Sequence, residues 1–360
     1  MYALGSHFGK LLDNIRPPKN RLDAAQTLPD QVRDYLEDHD DFETVAPHSR
    51  LVGSYAQHLS VGDVKDVDFL VRVEGDPEDN DPLARTVLRG LKEALHDLPA
   101  ELGYGGETNL ELERARRSVH VFFSEEDFHL DVVPCIAPDG FGASIWVPDW
   151  GFQKWIPSDP LGVVRLVKEL EEAHPGKFRN ATKLLKHFRN VQMVTRKPKS
   201  YWLVALAIEA FRDGKVDSAQ PLAVVFASLL DHIYNKFAPT YGRQDGATPN
   251  IKDPMLGHNV SWNWDHSHFE TLMCRLDEGR RWADRALDHE DRSEAIKLWK
   301  RIFGDTYFPL EIGDEARAAA EIRQPGSARV AATGLVLPGS SIAPKSTPVP
   351  ATRYYGSDGA

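Results

Sequence analysis

Cysteine is scarce in this chain, which has only Cys135 and Cys274 among its 360 residues. Two isolated thiols exclude a disulfide framework and a cysteine-rich zinc site, and they are typical of a reducing compartment. Long apolar runs are missing as well, and the start of the chain carries no signal-peptide pattern. We therefore predict a cytoplasmic protein with no membrane partner.

Positive charge is also in deficit, with 43 Lys and Arg against 54 Asp and Glu and a formal net charge of −11. Tight binding along nucleic acid requires many neutralised phosphates, so the composition does not favour nucleic acid as the main partner. A hydrophobic content of 41% and a charged content of 27% are ordinary for a soluble globular protein. The length allows two lobes.

The most informative segment runs from residue 51 to 70. Gly53-Ser54 ends one apolar stretch, and Asp66-Val67-Asp68 leads directly into another. Side chains alternate in a strand, so Asp66 and Asp68 project from the same side. Two carboxylates at one point raise each other's pKa unless a divalent cation separates their charges. Because Mg²⁺ prefers oxygen ligands and substrate phosphates, we predict that this pair binds magnesium.

The Gly53-Ser54 turn is a candidate phosphate site. Gly53 lets the backbone approach a ligand closely, and Ser54 is predicted to be the N-cap of a short helix whose free N–H groups face an anion. Each motif is weak alone, because Asp-x-Asp is often a solvated turn and Gly-Ser an ordinary loop. The alternating pattern of residues 65–73 indicates a strand and favours the functional interpretation.

A third acid lies in a predicted hairpin formed by residues 118–123 and 128–136. Asp131 is in the middle of the second strand among apolar neighbours. Charged residues are rare at such positions unless they have a function. We predict that Asp131 completes the metal site. The alternative is a lone acid on a solvated strand face.

Gly53-Ser54, Asp66-x-Asp68 and the strand Leu130-Asp131-Val-Val-Pro together resemble the polymerase-β-type nucleotidyltransferase superfamily. The fuller pattern is most similar to the bacterial cGAS-like enzymes, which are the CD-NTases or SMODS second-messenger oligonucleotide synthases. The resemblance covers roughly residues 1–310 and includes W-I-P-S-D-P at 155–160, L-L-K-H-F at 184–188, K-S-Y at 199–201 and K-L-W-K-R-I-F-G at 297–304.

A basic block occupies the second half of the chain. Residues 173–208 contain no Asp or Glu but hold Lys177, Arg179, Lys183, Lys186, Arg189, Arg196, Lys197 and Lys199. A triphosphate beside three carboxylates needs such counter-charge, whereas the alternative is a solvated helix face. The resemblance implies that Lys186 and Ser200 contact the donor triphosphate.

The resemblance also implies the fold and the reaction. The expected fold is α/β (α+β), with a mixed-sheet catalytic lobe, an all-helical lobe and an active-site cleft between them. Asp66, Asp68 and Asp131 would hold two Mg²⁺ ions, with Mn²⁺ as the alternative. The enzyme would join nucleoside triphosphates (ATP, GTP or pyrimidine nucleotides) into a cyclic di- or trinucleotide and release pyrophosphate, in anti-phage (CBASS) signalling.

Three alternatives stay open from the sequence. One is nucleotidyl transfer to an RNA end, a protein or a small molecule. Another is a non-catalytic nucleotide or RNA sensor. The last is a structural scaffold, which would leave the basic block unexplained.

The predicted organisation has four parts. Residues 1–158 form the catalytic lobe with N-terminal helices, 159–310 the helical lobe, 311–323 a terminal helix or linker, and 324–360 a flexible tail rich in Pro, Gly and Ser. Helices are predicted at about 160–173, 178–195, 199–213, 219–237, 265–288 and 291–303. The resemblance implies that the loop 251–260 returns to the cleft, and that an operon-encoded conjugating enzyme or regulator acts on the tail.

Overall fold

The computed structural model describes residues 4–62, 66–103, 110–123, 126–243, 245–310, 328–331, 336–338 and 346–348. Two predicted segments, 311–323 and most of 324–360, therefore lie outside the described residues.

The described helices are Gly5–Asn14 (α1), Lys19–Glu37 (α2), Gly53–Ala56 (α3), Ala84–Ala94 (α4), Leu98–Glu101 (α5), Pro160–Ala173 (α6), Phe178–Gln192 (α7), Ser200–Arg212 (α8), Leu222–Tyr241 (α9), His266–Asp288 (α10) and Arg292–Phe303 (α11). The described strands are Ser49–Val52 (β1), Asp66–Val73 (β2), Leu110–Arg114 (β3), Val119–Phe123 (β4), Phe128–Ile136 (β5), Ile145–Asp149 (β6), Lys154–Ser158 (β7), Ala328–Ala331 (β8), Val336–Pro338 (β9) and Ser346–Pro348 (β10).

The chain divides into two compact units, Ile15–Arg281 and the combination of Met1–Asn14 with Trp282–Ala360. The larger unit contains a mixed sheet with the strand order β1-β2-β5-β4-β3, extended from β5 by β6 and β7. Strands β2 and β5 are parallel, whereas the other pairs of this sheet are antiparallel. The predicted mixed sheet is confirmed, but β6 and β7 were not predicted.

Strand alternation gives this sheet two different faces. Buried and partly buried residues alternate along β4 and through most of β5. On the buried face, Phe69 and Leu130 pack in one core with Leu28 of α2 and Leu91 of α4. The opposite face carries the polar residues of the two central strands. The site therefore lies on the face that α2 and α4 leave uncovered.

Helices α6 to α9, with most of α10, form the rest of the larger unit. The helix α8 is buried along most of its length, from Trp202 to Phe211, because its sequence is apolar on nearly every side. Helix α10 passes close to α7 at Gly279, where an added Cβ would lie 2.7 Å from the Phe188 ring. The predicted helices of this region are confirmed, with ends that differ by a few residues.

The smaller unit is held by aromatic packing. Phe8 of α1 makes edge contacts with Trp299 and Phe303 of α11 and with Phe308. Asn14 Nδ2 donates to the Tyr307 carbonyl oxygen over 2.7 Å. Large apolar rings bury much area per residue, so this cluster fixes α1 against α11.

Three short strands within residues 328–348 form a small antiparallel sheet with the order β10-β8-β9. No strand was predicted in this range. The flexibility of 324–360 stays a prediction. Across the described residues, no helix is both long enough and apolar enough to span a membrane.

Candidate active site

The turn from β1 into α3 is built on Gly53. Its φ is +68°, and a Cβ added there would lie 1.8 Å from Asp68 Oδ2. Only glycine fits both the left-handed backbone and this close approach. The predicted N-cap role of Ser54 is wrong, because α3 begins at Gly53 and its N-cap is Val52. The Ser54 hydroxyl instead lies 3.4 Å from the Ser60 hydroxyl.

The parallel pairing of β2 and β5 brings two of the predicted carboxylates together. Asp68 and Asp131 are register partners, and both occupy the partly buried positions of their strands. Asp66 is exposed at the first residue of β2. Its charge nevertheless raises the pKa of both other carboxyls, so all three acids share one electrostatic environment.

Burial and mutual repulsion act together on Asp68. Desolvation, followed by the charges of Asp131 and Asp66, raises the pKa of the Asp68 carboxyl to about 6. The pKa of Asp131 is also raised, chiefly by burial. Carboxylates held close together without a counter-ion resist ionisation, and a bound cation removes that conflict.

Sequence reasoning missed His120, which lies opposite Asp131 on β4. The His120 Nδ1 atom forms a short contact with Asp131 Oδ1, and the imidazole lowers the pKa of this carboxyl. A signal was available, because a hairpin that pairs Phe123 with Phe128 necessarily pairs residue 120 with 131. On the same face, His129 stacks on Phe122 with ring centroids 4.4 Å apart.

Lys186 faces the carboxylates from α7. Its ammonium group is buried, with 4% of the residue exposed, and donates to the Leu59 carbonyl oxygen over 2.7 Å. Burial, followed by the charges of Arg189 and Lys183, lowers the pKa of Lys186 to about 7, while Asp68 acts in the opposite direction. A buried amine whose charge is coupled to that of Asp68 therefore lies in a region of low polarity.

Ser200 is the first residue of α8 and is linked to α7. Its hydroxyl accepts a hydrogen bond from Arg189 Nη1 over 2.9 Å, and the same nitrogen donates to the Pro198 carbonyl oxygen over 2.9 Å. Sequence reasoning named Arg189 in the basic block without giving it this role. The guanidinium fixes the start of α8 against α7.

The loop 251–260 is anchored next to Ser200. Tyr201 donates its hydroxyl to Asp253 Oδ2 over 2.7 Å. Burial, followed by this hydrogen bond, raises the pKa of the Tyr201 phenol. A Cβ added at Gly162 would lie 2.6 Å from Met255 Cε, so the loop also packs on the first turn of α6.

The side chains of this region fit a magnesium site that also uses substrate phosphates. Among the described residues, no three His, Cys, Asp or Glu side chains come together as a metal-holding group. Asp68 and Asp131 do supply paired carboxylate oxygens, and Mg²⁺ commonly uses one or two carboxylates together with phosphates and water. The raised pKa of Asp68 is the conflict that a hard cation would remove.

Comparisons with known proteins show what the chain is similar to. Residues 2–170 match the family described as the Second Messenger Oligonucleotide or Dinucleotide Synthetase domain, SMODS. The chain is 26% identical over 347 residues, 94% of each protein, to the cyclic AMP-AMP-AMP synthase of Acinetobacter sp. (strain ATCC 27244 / 9458).

Two solved structures share the fold. The CD-NTase CdnG of Bradyrhizobium diazoefficiens in complex with GTP has a TM-score of 0.65 and 17% identity, covering 84% of this chain and 96% of that one. CdnC of E. coli MS115-1 in its complex with HORMA-deltaN has a TM-score of 0.64 and 18% identity, covering 84% and 97%.

The mixed sheet, the Gly53 turn and the neighbouring carboxylates are the arrangement expected of a nucleotidyltransferase. The SMODS match over residues 2–170 and the 26% identity to a cyclic AMP-AMP-AMP synthase make the chain similar to the bacterial cGAS-like nucleotidyltransferases, the CD-NTases.

Proposed function

We propose that this protein is a CD-NTase that joins nucleoside triphosphates into a cyclic trinucleotide containing adenylate and releases pyrophosphate at each step. The observation that carries this proposal is the register of Asp68 with Asp131, with Gly53 against one carboxylate and buried Lys186 beside it. The choice of adenylate and of three nucleotides rests on the relative named cyclic AMP-AMP-AMP synthase.

Asp66, Asp68 and Asp131 are the proposed ligands of two Mg²⁺ ions, with Mn²⁺ as the alternative. When bound, these ions would neutralise the triphosphate and lower the pKa of the attacking ribose hydroxyl. The protein's own part is to hold the two carboxylates at one point and to keep His120 against Asp131.

Ser54, Lys186 and Ser200 are the proposed triphosphate ligands. Ser54 offers a hydroxyl next to Gly53, Lys186 a charge that is little screened by water, and Ser200 a hydroxyl oriented by Arg189. Fixed donors around the phosphates align the α-phosphorus with the incoming hydroxyl, and such positioning supplies much of the rate in phosphoryl transfer.

Incubation of the purified protein with all four nucleoside triphosphates and Mg²⁺ or Mn²⁺, followed by mass spectrometry, tests the product. A cyclic trinucleotide with at least one adenylate is expected. Product that forms only with added RNA, protein or a small molecule would favour transfer to that acceptor instead. Nucleotide binding without pyrophosphate release would favour a sensor.

The same proposal covers the cellular location of the enzyme and its protein partners. The supply of nucleoside triphosphates and the two free thiols, Cys135 and Cys274, suit action in the cytoplasm. CdnC of E. coli MS115-1 forms a complex with HORMA-deltaN, and the proposal for this chain includes a protein regulator of that kind and a role in anti-phage (CBASS) signalling. Conjugation of the C-terminus by an operon-encoded enzyme is tested by the intact mass of the protein expressed with the neighbouring genes.

A further inference from the structure

Four basic side chains from neighbouring segments act on one another electrostatically, and none of them is one of the three acids. Arg16 precedes α2, His58 follows α3, and Arg179 and Lys183 lie on α7. These four residues are called the basic cluster below. None of them belongs to the proposed donor site.

Helix geometry directs part of this cluster toward His58. Arg179 and Lys183 are four residues apart on α7 and therefore share one face. Lys186 follows Lys183 by one further turn, and its ammonium reaches the carbonyl oxygen of Leu59, the neighbour of His58. The face of α7 that carries the cluster thus points at the segment 58–59.

The charges of the cluster act on one another. Burial, followed by Arg179 and Lys183, lowers the pKa of the His58 imidazole. Burial, followed by Arg16 and Arg179, lowers the pKa of Lys183, whereas Glu171 acts in the opposite direction. Like charges this close destabilise the site unless a negative group is added.

Glu171 acts on Lys183 in the opposite direction, and both of its oxygens are already engaged. Oε1 accepts from the Gly176 amide over 2.8 Å, and Oε2 accepts from the Arg179 amide over 2.9 Å. These bonds fix the turn between α6 and α7. The carboxylate therefore accepts two backbone hydrogen bonds, and its charge also raises the pKa of Lys183.

One buried donor of the cluster lacks an acceptor. Within the part of the chain that the structure describes, Arg179 Nε is buried and has no hydrogen-bond partner. Leaving a charged donor buried and unpaired is costly, so such a group requires an explanation. A guanidinium fork fits the oxygens of a phosphate group, which would satisfy this nitrogen and offset the repulsion.

We propose that the basic cluster is a second phosphate-binding site, which holds the polyphosphate of a nucleotide other than the donor. The anion site stands on the contacts above, whereas its assignment to a nucleotide rests on the proposed function. The polyphosphate would belong either to the nucleotide that supplies the attacking hydroxyl or to a nucleotide bound as an effector.

Isothermal titration with inorganic tripolyphosphate, without divalent metal, tests the site. The variant R179Q/K183Q is expected to bind about tenfold more weakly than the wild type, because it loses two charged donors. The control K168Q/K215Q removes the same charge from exposed positions and is expected to match the wild type. Lys183→Arg keeps the charge and is expected to retain most of the affinity, which separates charge loss from misfolding.

Protection of Lys183 from amine acylation, read by mass spectrometry, locates the anion. Tripolyphosphate is expected to slow acylation of Lys183 but not of Lys168, whose side chain is 71% exposed. If Lys183 does not react even without the anion, the isothermal titration with tripolyphosphate is the test of the site. Equal affinity of wild type, R179Q/K183Q and K168Q/K215Q would overturn the proposal.

Kinetics distinguish the two sources of the polyphosphate. If it belongs to the accepting nucleotide, R179Q/K183Q raises KM for nucleotide. If it belongs to an effector, KM stays unchanged, and the response of the wild-type rate to a non-hydrolysable triphosphate is lost in the variant. A wild type that makes no cyclic product would contradict the proposed function, yet the metal-free titration would still test the anion site.

Discussion

Among single residues, Asp68 shows how a functional carboxylate can lower the stability of the folded protein. The carboxyl is desolvated and lies near two other acids, so its pKa is raised to about 6 from an ordinary value near 4. A folded-state pKa above the unfolded value contributes stability that is complete below about pH 4 and is lost as the pH rises through about 6. Without metal, ionised Asp68 therefore destabilises the fold at neutral pH.

The substitution Asp68→Asn should relieve this repulsion. In metal-free buffer near neutral pH we expect the free energy of unfolding to rise by about 3 kcal/mol, since the pKa is raised by about two units and each unit corresponds to about 1.4 kcal/mol. The gain should shrink toward pH 4, where wild-type Asp68 is protonated. Denaturant unfolding across this range measures the difference, and nucleotidyl transfer should be abolished in the variant.

Added Mg²⁺ provides the matched control. It should stabilise the wild type at neutral pH, because a ligand that binds only the folded state raises stability. It should do so much less for Asp68→Asn. A variant that is less stable than the wild type in metal-free buffer at neutral pH would contradict this account of Asp68.

His120 is expected to position Asp131 through the contact with its Oδ1 atom. His120→Ala should lower kcat and Mn²⁺ affinity by about tenfold or more, as is common when the partner of a metal-binding carboxylate is removed. His120→Asn keeps a donor near Nδ1 and should recover most of both. Steady-state kinetics and Mn²⁺ titration measure the two effects.

His129→Ala is the control for His120, because His129 is on the same face but stacks on Phe122. It should leave Mn²⁺ affinity near the wild-type value. Equal losses in His120→Ala and His129→Ala would indicate a general change of this face instead of a specific role for His120.

Several site residues followed from the sequence for a physical reason. Alternation along a strand fixes which side chains share a face, so the common side of Asp66 and Asp68 and the mid-strand position of Asp131 were predictable from local pattern. Lys186 was named in the basic block, but its role beside the triphosphate came only from family resemblance, and its burial against Leu59 depends on how α7 packs. Packing between distant segments leaves no local periodicity, which is also why the pairing of Arg189 with Ser200 was missed.

At the scale of elements, the turn from β1 into α3 depends on glycine. Gly53→Ala should lower kcat/KM by about a hundredfold, because the added Cβ would displace Asp68 and small displacements of reacting groups are costly. Circular dichroism and steady-state kinetics separate lost folding from lost alignment.

Gly62→Ala is a matched control, since Gly62 also has a positive φ, +66°, but no described atom lies within 4 Å of an added Cβ. It should cost about 1 kcal/mol of stability, from backbone strain, with little loss of activity. Similar losses of kcat/KM in both variants would show that strain, and not the approach to Asp68, controls the turn.

Element prediction succeeded where the periodicity was strong. Helices α6 to α11 carry apolar stripes and boundary signals such as Asp159, whose side chain caps α6 at Gly162. The hairpin of β6 and β7 was missed because prolines at 148 and 157 interrupt its strand pattern. The parallel pairing of β2 with β5 could not be derived, since register between non-consecutive strands depends on tertiary packing.

At the scale of the whole molecule, the site residues from Gly53 to Asp253 lie within the unit Ile15–Arg281. Removal of residues 311–360 should therefore leave the rate of cyclic product formation within about twofold of the full chain, because most point changes remote from a site have small effects on it. Product quantification by mass spectrometry, with thermal unfolding as the control for folding, measures this. A loss above tenfold in a folded truncation would assign residues 311–360 a part in catalysis.

The parallel register of Asp68 with Asp131 has a consequence for biosynthesis. The two carboxylates come from strands separated by the whole of α4, α5, β3 and β4. Such long-range pairing forms slowly compared with local hairpins and helices. A nascent chain cannot assemble the acidic pair before β5 has left the ribosome. An incomplete translation product that ends before residue 128 would therefore make no cyclic nucleotide.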